Sequence, residues 1–149
     1  MKLILVHDRW HNYFMMIARA TARLSYCNKL KVGAVAVRER RPVATGYNGT
    51  LPGMDNCCED KQDNAGNMVL VTRPEVEHAE RNLISFAARE GIKLLDTTVY
   101  ITHSPCVECS KAIVNAGVKT LVFGEAYKCR NGIELLEVNG VEVIWYTGD

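Results

Sequence analysis

His78, Glu80, Cys106 and Cys109 are the residues of this chain whose types and spacing could do chemistry. They fall in two short motifs, His78-Ala79-Glu80 and Pro105-Cys106-Val107-Glu108-Cys109. Two cysteines three apart at a helix start project from one side and can reach a single ion at zinc–sulfur distances of about 2.3 Å. First-turn peptide N–H groups favour the thiolate, the form that binds metal, and His78 adds a neutral imidazole. Three protein ligands leave one tetrahedral position for water, the arrangement of a catalytic rather than a closed structural zinc. Zinc lowers the pKa of water held there from 15.7 towards about 7. Glu80, two residues from the histidine, can take that water's proton and return it to a substrate ring nitrogen and then to a departing amine. Each half alone says less, because Cys-x-x-Cys also serves redox motifs and structural zinc, and a single histidine is more often a surface or core residue.

These residues need elements to hold them. From Asp8 to about Tyr26 the residues Trp10, Phe14, Ile17, Ala18, Thr21 and Leu24 recur at helical spacing. Lys31 to Val37 and Pro42 to Tyr47 are valine-containing runs separated by Arg38-Glu39-Arg40-Arg41, which predicts an antiparallel hairpin. Asn48 to Pro74 holds glycines, prolines, Asp and Asn with little periodicity and reads as an irregular loop, of a length that is often functional. Glu77 to Glu90 and Cys106 to Ala116 read as helices that Gly91 and Gly117 close, each beginning at one of the two motifs. Strands are predicted at Thr97 to Thr102, Thr120 to Gly124 and Val141 to Tyr146, with a short helix at Ile133 to Val138. This alternation implies an α/β layered domain over residues 1–149, with a sheet of about five strands.

The 149 residues are 48% hydrophobic and 23% charged, with a formal net charge of +1. That composition excludes disorder and collagen-like structure. It lacks the basic excess of most nucleic-acid domains, so no nucleic-acid partner is expected, while a single nucleotide fits. No apolar run approaches the ~20 residues of a membrane span. His7, Asp8 and Arg9 interrupt the apolar start Met1 to Val6, which predicts no signal peptide and a cytoplasmic protein, or one of the host cytoplasm if viral. Cys27, Cys57, Cys58, Cys106, Cys109 and Cys129 are then expected as buried, metal-bound or free thiols rather than a disulfide framework.

His-x-Glu followed by Pro-Cys-x-x-Cys is the signature of zinc nucleobase deaminases. Along nearly its whole length the chain resembles the deoxycytidylate (dCMP) deaminase family of the cytidine deaminase superfamily. The resemblance is carried by Trp10 to Met15, Val32-Gly33-Ala34-Val35, Gly46-Tyr47-Asn48-Gly49-Thr50, His78-Ala79-Glu80-Arg81-Asn82 and Ser104 to Cys109. It implies a three-layer α-β-α fold with a central mixed five-stranded sheet, and zinc-dependent hydrolysis of dCMP to dUMP with release of ammonia, feeding dTMP synthesis. It also implies one catalytic Zn2+ per subunit on His78, Cys106 and Cys109, with Glu80 as proton carrier. Asn48, Ala79, Thr102, Ser104, Pro105 and Tyr127 would meet the substrate, with Thr102 to Pro105 lining the base pocket. Gly46, Tyr47, Gly49, Phe86 and Arg89 would serve effector or subunit contacts in a homo-oligomer, commonly a hexamer, activated by dCTP and inhibited by dTTP, with Mg2+ accompanying the triphosphates.

The resemblance is not complete. Leu51 stands before Pro52, where the family often has proline directly. Some phage members hold a second, structural zinc on cysteines corresponding to Cys27 and Cys57, but no histidine lies between Met68 and Glu77, so a second ion is not expected. Cys58 with His7 or His11 are the other donors such a site could draw on. Arg23, Lys29, Lys31 and Lys128 are the candidate phosphate contacts. Two rivals stay open: a deaminase acting on bases within nucleic acid, for which only the short Arg38, Arg40, Arg41 cluster speaks, and a binding module with a structural zinc, which would have no need of Glu80.

Overall fold

Glycine, alanine and valine fill Gly33 to Val37, a run buried at every position, as a strand covered on both faces must be. The computed structural model describes residues 1–148, so Asp149, the last residue of the expected domain, lies outside the described residues. The chain begins with β1 (Lys2–Ile4), α1 (Arg9–Ala22), β2 (Gly33–Arg38), β3 (Arg41–Tyr47), β4 (Gly49–Thr50), β5 (Glu59–Asn64), β6 (Asn67–Thr72) and β7 (Val76–Glu77). It continues with α2 (Ala79–Glu90), β8 (Thr98–His103), α3 (Val107–Asn115), β9 (Thr120–Glu125), α4 (Asn131–Val138) and β10 (Glu142–Tyr146).

The main sheet has the order β1-β10-β9-β8-β2-β3. β8, β9, β10 and β1 run parallel, while β2 is antiparallel to both β8 and β3. The sheet is therefore mixed but has six strands rather than the expected five. The extra strand is the apolar N-terminal run, whose Lys2, Leu3 and Ile4 pair with Ile144, Trp145 and Tyr146.

Strand alternation divides the core into two layers. Val35, Val37, Tyr100, Val122 and Ile144 meet Phe14, Met15 and Ala18 of α1 on one face. Ala34, Ala36, Val99, Ile101, Leu121 and Phe123 meet Ala79, Leu83 and Ala87 of α2, Ile113 of α3 and Ile133 and Leu136 of α4 on the other. α1 starts at Asp8, whose carboxylate accepts from the Trp10 and His11 amides at 3.0 and 2.9 Å. The bond from His11 holds that carboxyl below its usual range.

The expected irregular loop after Asn48 is partly ordered. β4 pairs with β7 through Gly49 to Glu77 and Thr50 to Val76, and β5 and β6 form a separate hairpin. No helix among the described residues is long and apolar enough to cross a membrane.

Candidate metal centre and adjoining cavity

The two motifs meet at the starts of two neighbouring helices. His78 is the residue before α2 and is in extended conformation. Cys106 holds the same place before α3, where its sulfur accepts from the Cys109 amide at 3.5 Å. β8 ends at His103 and leads through Ser104 and Pro105 into α3, so the cysteines stand at the carboxyl end of the parallel strands, where α/β sheets place ligands. α4 packs tightly over this entry, because a Cβ at Gly132 would come within 2.3 Å of the Pro105 carbonyl oxygen. On the other side, a Cβ at Gly46 would come within 2.4 Å of the Ala79 carbonyl oxygen, so glycine lets β3 lie against the first turn of α2.

His78, Cys106 and Cys109 offer donor atoms that all lie within 4.8 Å of one another. The imidazole Nδ1 is 3.1 Å from the Cys109 sulfur and 3.6 Å from that of Cys106. Hydrogen bonding from the Cys109 thiol, and then from His78, brings Cys106 down to about 3. The same pairing, with burial, pushes the Cys109 thiol up, and the bond to Cys106 raises His78. One thiolate, one thiol and an imidazole in van der Waals reach are a soft donor set of the kind that zinc takes, displacing the remaining proton.

Glu80, in the first turn of α2, is 4% exposed. Its Oε1 is 4.0 Å from His78 Nδ1, and its Oε2 is buried without a hydrogen-bond partner. Burial pushes this carboxyl up to about 7. An orphaned carboxyl oxygen beside three metal donors fits a centre at which a further small polar group is handled, and a structural zinc has no use for it.

A cavity of about 400 Å³ opens on this centre. Its walls include His78, Ala79, Glu80 and Cys106, together with Asn48, Ser104 and Tyr127 from the residues singled out in the sequence. Thr102 and Pro105 are not among the lining residues, and the Thr102 hydroxyl accepts instead from the Gly33 amide at 3.2 Å. Asn48 is brought beside His78 by the β4 and β7 pairing. Its Oδ1 accepts from the Val32 amide at 2.8 Å and its Nδ2 donates to the Leu30 carbonyl at 2.7 Å. Ser104 Oγ accepts from the Tyr127 amide at 2.7 Å, which ties the segment after β9 to the cavity.

Of the four candidate phosphate contacts, Lys29 and Lys128 line the cavity, and Arg23 and Lys31 do not. The Lys31 ammonium donates to the Ser25 carbonyl. Arg38 is likewise engaged with the Lys93 and Leu95 carbonyls, and Arg40 lies 4.7 Å over the Trp10 ring, so two of the three arginines of the cluster are occupied within the fold.

His103 falls in the Thr102 to Pro105 stretch that the resemblance places along the base pocket; it lines the cavity and bridges the Thr102 hydroxyl and the Glu125 carboxylate at 2.9 and 3.2 Å. Leu30, Val32, Glu59, Thr72 and Val76 also line the cavity and are not among the expected residues. Glu59, 8% exposed, accepts from the Asn28 and Lys29 amides at 3.1 Å, and no sequence feature marks it.

The cysteines expected as thiols are so at Cys57, Cys106, Cys109 and Cys129. Cys27 and Cys58 instead form a disulfide, because the segment after α1 and the start of β5 are brought face to face. With Glu59 they also form a second group of potential metal donors.

A second cavity, of about 560 Å³, lies on the other side of the β4 and β7 pairing. Gly46, Tyr47, Gly49, Phe86 and Arg89 all line it, and the Arg89 guanidinium sits 5.5 Å from the Phe86 ring centre.

The family model for the cytidine and deoxycytidylate deaminase zinc-binding region matches residues 8–125. ComE operon protein 2 of Bacillus subtilis is 36% identical over 136 residues, covering 90% of this chain and 69% of that protein. A deoxycytidylate deaminase of Mycobacterium phage D29 is 37% identical over 121 residues, covering 76% of this chain and 93% of its own. Among solved structures, the dCMP deaminase of cyanophage S-TIM5 in complex with dCMP and dUMP superposes with a TM-score of 0.81, at 34% identity, over 93% of this chain and 97% of that one.

Proposed function

The chain belongs to the cytidine and deoxycytidylate deaminase zinc-binding family, and from that premise we propose that it hydrolyses dCMP to dUMP and ammonia, supplying dUMP for dTMP synthesis. The observation that carries this reading is the buried, unpartnered Glu80 oxygen beside His78, Cys106 and Cys109. His78, Cys106 and Cys109 would hold zinc, which when bound supplies a Lewis acid that makes water a nucleophile at neutral pH.

Glu80 carries the protons. With its carboxyl near 7, it can accept one from the attacking water and deliver it to ring nitrogen N3. A second proton passes by the same route to the 4-amino group, which leaves as ammonia while the carbonyl forms at C4. Glu80 is 4% exposed, which limits exchange of its proton with bulk water. Asn48, Ala79, Ser104 and Tyr127 wall the nucleotide, and the Lys29 and Lys128 ammonium groups offer the phosphate its charge partners.

The second cavity supports effector control, because it brings together the five residues Gly46, Tyr47, Gly49, Phe86 and Arg89 and adjoins the catalytic one across the β4 and β7 pairing. dCTP as activator and dTTP as inhibitor, with Mg2+ on their phosphates, fit its cationic Arg89 and aromatic lining. Exposed Tyr47, Leu51, Met54 and Phe86 around it favour a homo-oligomer, such as a hexamer, that closes over it.

Ammonia release and absorbance change with zinc-loaded protein and dCMP, deoxycytidine, CMP or a cytosine oligonucleotide test the substrate. Rapid turnover of dCMP alone is expected; turnover of the oligonucleotide instead would move the activity to nucleic acid. The same assay with dCTP or dTTP added, and sedimentation of the protein with each, tests control: hyperbolic curves indifferent to both nucleotides would remove it.

A further inference from the structure

We infer that the Cys27–Cys58 disulfide is a reversible thiol–disulfide modification site whose closure fixes the nucleotide-facing wall of the catalytic cavity. The inference rests on the nucleotide reading above for its kinetic consequence, but not for its structural one.

The residues between α1 and β2 form no helix or strand, yet they hold Asn48 on three sides. Ser25 Oγ donates to the Asn48 carbonyl at 2.8 Å, the Leu30 carbonyl accepts from its Nδ2, and the Val32 amide donates to its Oδ1. The same segment carries Lys29 to the cavity. Its outer side is attached at two adjacent positions at the entry to β5: the covalent bond from Cys27 to Cys58, and the Glu59 carboxylate that accepts from the Asn28 and Lys29 amides. Neither cysteine belongs to the two hydrophobic clusters that hold the main sheet to its helices. Cys27 lines the catalytic cavity and Cys58 the second one, which places the disulfide in the wall they share.

A dithiol reductant opens the bridge by exchange. Two electrons and two protons pass to the sulfurs, the S–S bond becomes two thiols, and the reductant is left as its own disulfide. Cys27 and Cys58 are 2% and 1% exposed, so exchange proceeds through local opening of the segment. Once reduced, the segment keeps the Glu59 carboxylate as its hydrogen-bonded attachment on that side but loses the covalent one. Asn48 and Lys29 lose their fixed position, whereas His78, Glu80, Cys106 and Cys109 stay anchored, since α2 and α3 are packed into the main core through Ala79, Leu83 and Ile113.

The test compares the zinc-loaded full chain, oxidised in air, with the same protein reduced by a phosphine that is then removed. Titration in denaturant is expected to find four thiols and then all six cysteines as thiols. The KM for dCMP is expected to rise about tenfold on reduction, the weight of one hydrogen bond, with kcat within about twofold. Backbone hydrogen exchange at Asn28, Lys29 and Val32 should quicken. Cys58→Ser should match the reduced protein with or without reductant; should it not fold, the wild-type comparison decides alone. Equal KM and equal exchange in the two forms would overturn the inference, as would six thiols in the air-oxidised protein or a second zinc taken up on reduction. If neither form turns over dCMP, the substrate reading fails, and unchanged exchange at the three amides then overturns the clasp separately.

Discussion

Replacing Glu80 by glutamine should change the metal-free protein in a way that only pH reveals. Burial moves this carboxyl from an ordinary 4.5 to about 7, so between those values the folded chain keeps a proton that the unfolded chain has released. Stability is therefore full below about 4.5 and falls as pH rises through about 7, by about 3 kcal/mol once the group is ionised in both states. Glutamine has no proton to lose, and whatever its amide costs in the same cavity is independent of pH. Urea unfolding of metal-free wild-type and Glu80→Gln proteins at pH 5 and pH 8 measures the effect, because His78 and the cysteines titrate in both and differ only through their coupling to Glu80. The variant should gain on the wild type by about 2 to 3 kcal/mol between the two pH values. With zinc restored it should hold one ion per chain and lose activity by a factor of roughly 10² to 10⁴. An unchanged stability difference at the two pH values would refute the buried, uncompensated carboxyl, and activity retained within about tenfold would refute its role as proton carrier.

Three further outcomes are expected. Cys109→Ala and His78→Ala should each take bound zinc from one per chain to none, by elemental analysis of dialysed protein, and a stoichiometry that stays at one would assign the ion elsewhere. Gly46→Ala must part β3 from α2, since the added carbon meets backbone at 2.4 and 2.6 Å, so a loss of about 1 to 3 kcal/mol or more in urea is expected; unchanged stability would show that the two elements are not in contact. Lys29→Ala and Lys128→Ala should raise KM for dCMP roughly tenfold each while leaving deoxycytidine unaffected, and an equal effect on both substrates would take the phosphate away from these side chains.

Where the determinants are local, the sequence was informative. The buried run of β2 and the two glycines after α2 and α3 are each legible within a few residues, and the cysteine motif lies at a helix start that Pro105 marks. β1 was not legible because its partner lies at the other end of the chain, Lys2 against Ile144, and three residues carry no periodicity. The β5 and β6 hairpin was missed for a different reason. Except at Glu59 both strands are exposed, so no alternation records a buried face, and its turn rests on Ala65 and Gly66, both at positive φ, of which only the glycine is a usual signal. The pairing of Cys27 with Cys58 runs against the expectation of thiols throughout, which rests on compartment and core size and carries no information on which segments the fold brings together. At the site the donors were evident but Glu59 was not, since its part depends on where the segment after α1 comes to rest.

The β4 and β7 pairing consists of two rungs, and the residue before β4 is Asn48 while the residue after β7 is His78. The chain thus leaves the catalytic neighbourhood and re-enters it at a fixed separation, whatever it does in between. Everything beyond the clasp at Cys58 and Glu59 is an excursion that the cavity does not need to register, apart from Thr72 and Val76 on its return. Such a segment can be shortened, extended or exchanged for another without re-spacing the donors. The enzyme thereby has a region in which new surfaces can be tried while the chemistry stays where it is.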